Sequence, residues 1–361
     1  MADTCGETQT QTQLTWSADL AKRVRTGPWA DQAVSTVRKF DDAVDEGHWE
    51  RAAQLVDYFI EEAKVCHLVY VTWSQGFIEW LRERGVPDAD IDEEHERLCR
   101  LLAFPDGGAL DPPWRWRALG ARAGELASQL RGLELTAAEA REAMDALREQ
   151  WRQLHDRWAD YQSGLLTFVA HRFGEAALGD CYRYVLEPYL LERYKPFDLH
   201  EQSYGETLYR NLYLAFEAMR AHLCGPDRRG DVEVEEADEK WVLRFDPCGS
   251  GNRGMRGDLI EGTGSRAEQP YEFGVTTEAH DWAWNERGVC YYCAHCCFAL
   301  ELWPAEQWGH PLRIVDSPLW PTEFGDSPAK CSWTIYKSLE AIPEEAYRRI
   351  GRTKPTNEDD E

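Results

Sequence analysis

The chain has 361 residues, of which 65 are Asp or Glu and 40 are Lys or Arg, for a formal charge of −25. Nucleic-acid backbones and anionic membrane surfaces are held through clustered Lys and Arg, so this balance argues against both as partners. A chain of this length, 43% hydrophobic and 29% charged, is of globular type and can bury a sizeable core in two domains.

No apolar run approaches the ~18 residues a transmembrane helix needs. The first residues, Met-Ala-Asp-Thr-Cys-Gly-Glu-Thr-Gln, carry neither a basic nor an apolar signal region, which predicts no secretion. Arginine far outnumbers lysine and is spread among Glu and Asp, a pattern of solvated ion pairing. The 11 cysteines are an odd number in a long chain, unlike an extracellular disulfide framework. A reducing, cytoplasmic setting fits them.

Residues 1–14 are polar and Gln/Thr-rich, and are expected to be disordered. From 15 to 225 the sequence reads as helix. Apolar residues recur at three- and four-residue spacing, as at Leu55, Tyr58, Phe59 and Ala63. Pro87, Pro105, Gly107-Gly108 and Pro112-Pro113 mark loops. Thr136 followed by Glu139 has capping-box spacing and predicts a helix running through His155 to Gly174. A faint repeat relates His67, Trp73 and Gly76 to His155, Tyr161 and Gly164. A duplicated helical hairpin, and so a bundle of four to six helices, would follow. His67 and His155 are read as core histidines, since neither copy supplies the Glu-x-x-His of a di-iron bundle. Cys66, Cys99, Cys181 and Cys224 are read as buried small hydrophobes.

The character changes at Gly225-Pro226. Asp231-Val-Glu-Val-Glu and Lys240-Trp-Val-Leu-Arg-Phe, joined by a polar turn, predict a hairpin. Residues 311–315 and 331–336 read as two further strands, and Pro343 opens a last helix to Ile350. The expected architecture is α+β, an N-terminal all-α bundle followed by a cysteine-rich α+β domain over 226–350 with an acidic tail over 351–361.

The chemistry concentrates in that second part. Cys290-Tyr-Tyr-Cys293-Ala-His295-Cys296-Cys297 places four thiols and an imidazole within eight residues, with Cys248 upstream and Cys331 downstream. Such density of sulfur suits soft metal ions, iron–sulfur clusters or thiol chemistry. The two-residue spacing of Cys290 and Cys293 lets one turn grip one ion. Zinc is the first expectation, with Cys248, Cys290, Cys293, Cys296, His295 and Cys331 as the pool of ligands. The run Cys290, Cys293, Cys296 also fits a four-iron cluster, though without the proline that often follows the fourth cysteine. A metal-free set of structural or redox thiols is the third alternative.

A zinc ion here would be either a structural clamp or a catalytic centre with an open position. In the catalytic case Cys297 is a spare thiol, and His280 and His310 are candidate proton carriers. Trp282, Trp284 and Asp316-Ser-Pro could line the same cavity. The loop Asp246-Pro-Cys-Gly-Ser-Gly-Asn-Arg-Gly254 is either a turn delivering Cys248 or an anion nest, with Arg253 and Arg256 holding a substrate carboxylate.

The Asp246–Gly251 motif, the Cys290–Cys297 run, and Cys331-x-Trp333-x-Ile335-Tyr336-Lys337 together resemble a group of largely uncharacterised bacterial proteins. These have a helical N-terminal half and a cysteine-rich C-terminal half, and the resemblance spans roughly residues 140–340. More distantly, the chain is similar to the group around L-2-amino-thiazoline-4-carboxylic acid hydrolase. That resemblance implies an enzyme acting on a small polar or heteroaromatic metabolite, and carries over no catalytic residue. The resulting expectation is a metal-dependent, hydrolase-like enzyme with a small-molecule substrate. Alternatives are an interaction protein stapled by zinc, or an iron–sulfur or thiol redox protein.

Overall fold

Residues 13–110, 112–325 and 327–355 are described by a computed structural model. Its first elements are strands where the sequence predicts disorder and then helix. β1 (Gln13–Ser17) and β2 (Lys22–Thr26) form an antiparallel hairpin with Gln13 opposite Thr26. Ala21 turns the chain with φ 49°. Arg25 is fully buried, and its guanidinium donates to the carbonyls of Val34 and Asp31, both at 2.8 Å. The neighbours Val24 and Arg25 are both buried, so β2 carries no alternation that the sequence could show. The remainder of the segment predicted to be disordered lies outside the described residues.

Helices follow: α1 (Trp29–Gln32), α2 (Thr36–Asp45), α3 (Trp49–Glu83), α4 (Asp88–Leu101), α5 (Pro112–Arg131), α6 (Ala137–Phe173), α7 (Ala177–Arg193) and α8 (Tyr204–Ala221). α3 and α6 are the two long members, at 35 and 37 residues. α6 starts where the capping box places it. Glu139 N–H donates to Thr136 Oγ1 at 3.3 Å, and Thr136 N–H donates back to the Glu139 carboxylate at 2.8 Å. It stops at Gly174, whose φ of 87° no helix can continue. The middle of α6, from Trp151 to Leu166, is buried on all sides, polar residues included.

Past Gly225 the chain forms β3 (Glu233–Glu236), β4 (Lys240–Phe245), α9 (Gly251–Arg256), α10 (Tyr291–Cys297), α11 (Trp303–Trp308), β5 (Ile314–Asp316), β6 (Cys331–Tyr336) and α12 (Glu344–Arg348). The strands make one antiparallel sheet in the order β3-β4-β6-β5. Phe245 pairs with Cys331, so the loop holding Cys248 leaves the sheet beside Cys331. The predicted hairpin, both later strands and the last helix are all present. One hydrophobic core runs from Phe40 and Tyr70 in the helices to Phe245, Cys297 and Ile335, crossing the predicted boundary at 225.

α10 and α11 are consecutive stretches of one helix, joined by a wider π-helical turn at Phe298–Leu302. Pro304 explains the turn. It has no N–H to give to the carbonyl of Leu300, four residues back. That carbonyl instead accepts from the N–H groups of Leu312 and Arg313, at 2.9 and 3.1 Å. A proline in the helix thereby docks the segment that carries Arg313. Among the described residues no helix is long and apolar enough to cross a membrane.

Candidate active site

A partly enclosed cavity of about 150 Å³ lies where the helical and sheet-bearing parts meet. α3, α7 and α8 form one side; the 248–252 loop, the α10 helix and β6 form the other. An apolar cavity of this volume holds about one six-membered ring. Most of the wall is apolar, with the rings of Trp73, Tyr189, Tyr194 and Trp333 in it.

Cys248, Cys293, His295, Cys296 and Cys331, all predicted ligands, meet on this wall. Cys248 arrives on the loop after β4, where its Sγ accepts the Asn252 N–H at 3.3 Å. The glycines of that loop are required by close approach. A Cβ on Gly249 would collide with the carbonyl of His222, and one on Gly251 with Cys293 Sγ. The loop is thus a tight turn delivering Cys248. His295 Nδ1 donates to the carbonyl of Tyr292 at 2.5 Å, leaving Nε2 facing Cys296 Sγ at 3.5 Å. Burial keeps this imidazole neutral, lowering its pKa to about 4. Cys290 caps α10 behind the wall. A hydrogen bond from Cys293 holds its thiol below the ordinary value against burial, helped by the N–H groups of Cys293 and Tyr292.

The fit to zinc is incomplete. Among the described residues no three His, Cys, Asp or Glu side chains are arranged to hold a metal ion. The donor chemistry suits a soft ion, but the thiols are spread around a cavity instead of closing a tetrahedron.

The other predicted site residues lie elsewhere. Cys297 is turned away into the core, accepting the Trp284 N–H at 3.2 Å and donating to the Asp281 carbonyl at 3.4 Å. His280 is stacked on Trp282 and bonded to Glu175 at 2.8 Å. His310 Nδ1 meets the Tyr347 hydroxyl at 2.7 Å. None of these lines the cavity. Nor do Arg253 and Arg256, which are committed to protein carboxylates. Arg253 is fully buried against Asp160 at 2.5 Å and Asp258 at 3.3 Å, and Arg256 pairs with Asp246 at 2.5 Å.

The arginines that do reach the cavity are Arg193, at the end of α7, and Arg313. Arg313 is 6% exposed. Its Nε and Nη2 donate to the side chain and carbonyl of Asn211, at 2.7 and 3.0 Å, and it lies 5.0 Å from the Trp333 ring. It has no carboxylate partner among the described residues. Burial lowers its pKa to about 10; the phenol of Tyr194 raises it, and the nearby charge of Arg193 lowers it by less. Arg193 likewise has no acidic partner among the described residues. Asn252, 2% exposed, has both amide atoms unbonded on the same wall, and the Trp73 indole N–H is also unpaired.

A chain of hydrogen bonds also ends in the cavity. Asp156 meets His155 Nδ1 at 2.8 Å, and His155 Nε2 meets His222 Nδ1 at 2.8 Å. His222 Nε2 then faces Cys66 Sγ at 3.6 Å. His222 and Cys66 both line the cavity. Tyr70 braces the chain, its hydroxyl 3.1 Å from His155 Nε2 and 3.3 Å from His222 Nδ1. Arg228 grips Asp156 through two nitrogens at 2.7 and 3.0 Å, and Arg152 adds a third contact at 2.9 Å. Burial would raise the Asp156 carboxyl, but Arg228 and Arg253 overcome it and hold the group well below the usual carboxylate range. Burial keeps His155 and His222 neutral.

His67 fulfils the reading as a core histidine, stacked 4.3 Å from Trp116. His155, its partner in the repeat, does not face the same environment. Sequence reasoning missed Cys66, His222, Arg193 and Arg313 as cavity groups. The only local signal was the adjacency of His155 and Asp156 in one helix. Comparison with protein-family models, curated proteins and solved structures gives no match for this chain.

Proposed function

We propose that this protein is an enzyme that binds a small anionic molecule, of aromatic or heteroaromatic character, in the cavity and transforms it with wall thiols and imidazoles. The observation that carries this reading is Arg313, a buried guanidinium facing the cavity with no carboxylate among the described residues to neutralise it. Burying an unpaired charge costs several kcal/mol, a cost that an anionic ligand would offset. In so acidic a chain, two neighbouring arginines without a carboxylate partner among the described residues are a specific departure. Arg193 and Arg313 would hold a carboxylate, Asn252 and Trp73 would supply further hydrogen bonds, and the aromatic walls would clasp the ring. The limited volume restricts the ligand to about one ring.

Thermal-shift measurements with single-ring carboxylates, each paired with its neutral amide, test the reading. Carboxylates should raise Tm where their amides do not, and Arg313→Gln should remove the difference. Equal shifts for acid and amide would refute it.

A soft-metal enzyme is the second reading, favoured by Cys248, Cys293, Cys296 and Cys331 facing one space from three separate segments. Elemental analysis and an absorption spectrum of protein purified without added metal decide it. About one zinc per chain supports zinc. Iron with sulfide absorption would point to a redox cluster, and no metal would leave the thiols as the chemistry.

A further inference from the structure

The wall carries two thiol–imidazole contacts, Cys296 with His295 and Cys66 with His222. Only the second continues to a carboxylate. The geometry points to Cys66 as the nucleophile of the cavity and His222 as the base that takes its proton, with His155 and Asp156 as positioning residues. The inference rests on reading the cavity as an active site.

The proton positions follow from the order of partners. Asp156 is ionised and can only accept, so His155 must carry its proton on Nδ1. A neutral His155 then has a lone pair on Nε2, and His222 must donate to it from Nδ1. This leaves the lone pair of His222 on Nε2, directed at Cys66. One carboxylate, through two rings, fixes which nitrogen can take a proton from the thiol. The Tyr70 hydroxyl accepts from the Tyr292 hydroxyl at 3.2 Å and stands 3.3 Å from His222 Nδ1, where a free oxygen lone pair faces the same Nδ1 proton. His222 is held in place from both sides, as the residue that ends α8 and through its carbonyl packed on Gly249.

In the step we assign, the Cys66 S–H proton moves to His222 Nε2 as sulfur bonds to an electrophilic carbon of the ligand, a C=O or C=N centre. The π pair of that bond moves to oxygen or nitrogen, which takes the proton back from His222. The net change is addition of a thiol across a double bond, with no oxidation and no other reactant. Cys66, Arg193 and Arg313 line the same cavity, so a carboxylate bound by the arginines would present its own ring to the thiol.

Alkylation followed residue by residue with peptide mass spectrometry tests this on the intact protein. Neutral iodoacetamide reports on the thiol alone; anionic iodoacetate reports on the thiol and the arginines. In either reaction the S–C bond forms, iodide leaves, and the proton passes to His222. Cys181 and Cys224, fully buried and away from the cavity, are internal controls for folding. Cys66 should react with iodoacetamide at least about tenfold faster than both, and His222→Gln should slow it by a similar factor or more while Cys181 and Cys224 stay unlabelled. His155→Gln is the second variant if the first exposes the controls, and should slow Cys66 in the same way. Labelling of Cys66 no faster than the controls, or unchanged by either variant, would overturn the assignment. So would dominant reaction at Cys296. If iodoacetamide gives the expected pattern but iodoacetate shows no preference that Arg313→Gln removes, the relay stands and the anionic-ligand reading falls.

Discussion

Asp156 shows how one residue ties the helical core to the cavity. It accepts from Arg228 and Arg152 and orients His155, all out of solvent. Replacing it by Asn removes the charge while leaving the arginines buried, a change that costs about 3–5 kcal/mol. Urea denaturation of Asp156→Asn should show that loss, and a variant as stable as the native protein would contradict it. Cys297→Ser should leave carboxylate binding intact, since Cys297 bonds only into the core; calorimetric titration checks this. At this scale the sequence pointed to part of the site. The density of thiols between Cys290 and Cys297 marked the wall in part: Cys293, His295 and Cys296 share one turn of α10 and line the cavity, whereas Cys290 and Cys297 do not. Arg253 was misassigned because its partner Asp160 stands 93 residues away and nothing local reveals the pair. Cys66 and His222 are 156 residues apart and were illegible for the same reason.

Elements decide how firmly those residues are held. α6 was legible from end to end, since a capping box and a glycine stop act within a few residues. Thr136→Ala should cost about 1 kcal/mol by removing that cap, measurable as a lower denaturation midpoint at unchanged slope. The loop after β4 should be less tolerant. Gly249 has φ 83° and sits against the His222 carbonyl. Gly249→Ala is expected to destabilise the fold and displace His222, read out as slower alkylation of Cys66. Labelling at the native rate would show that His222 does not depend on this contact. The β1–β2 hairpin and the π-helical turn were not legible. The first has no alternation to read, with Trp16 exposed and the neighbours Val24 and Arg25 both buried, and the second depends on where the carbonyl freed by Pro304 finds new donors.

Across the whole molecule, the α+β composition and the four C-terminal strands were readable from alternation and turn residues, but their assembly around a cavity was not. That cavity forms only where α3, α7 and α8 meet α10 and β6, a matter of tertiary packing. The same packing buries several neutral histidines, which sets the response to acid. Burial lowers His67 and His295 to about 4, and lowers His155 and His222 as well. The unfolded chain takes up these protons near the ordinary histidine value of about 6.5. Stability should therefore be full above that pH and fall as pH drops from about 6.5 toward 4, because the unfolded state binds more protons there. Denaturation midpoints across that range check the sign, and a rising midpoint on acidification would contradict it. The central claim is that Arg193 and Arg313 await an anion. Its most direct test is a calorimetric titration of native and Arg313→Gln protein with a single-ring carboxylate. A charge-assisted contact of about 1.5–3 kcal/mol predicts roughly ten- to hundredfold weaker binding to the variant. Equal affinity for both proteins would contradict the account.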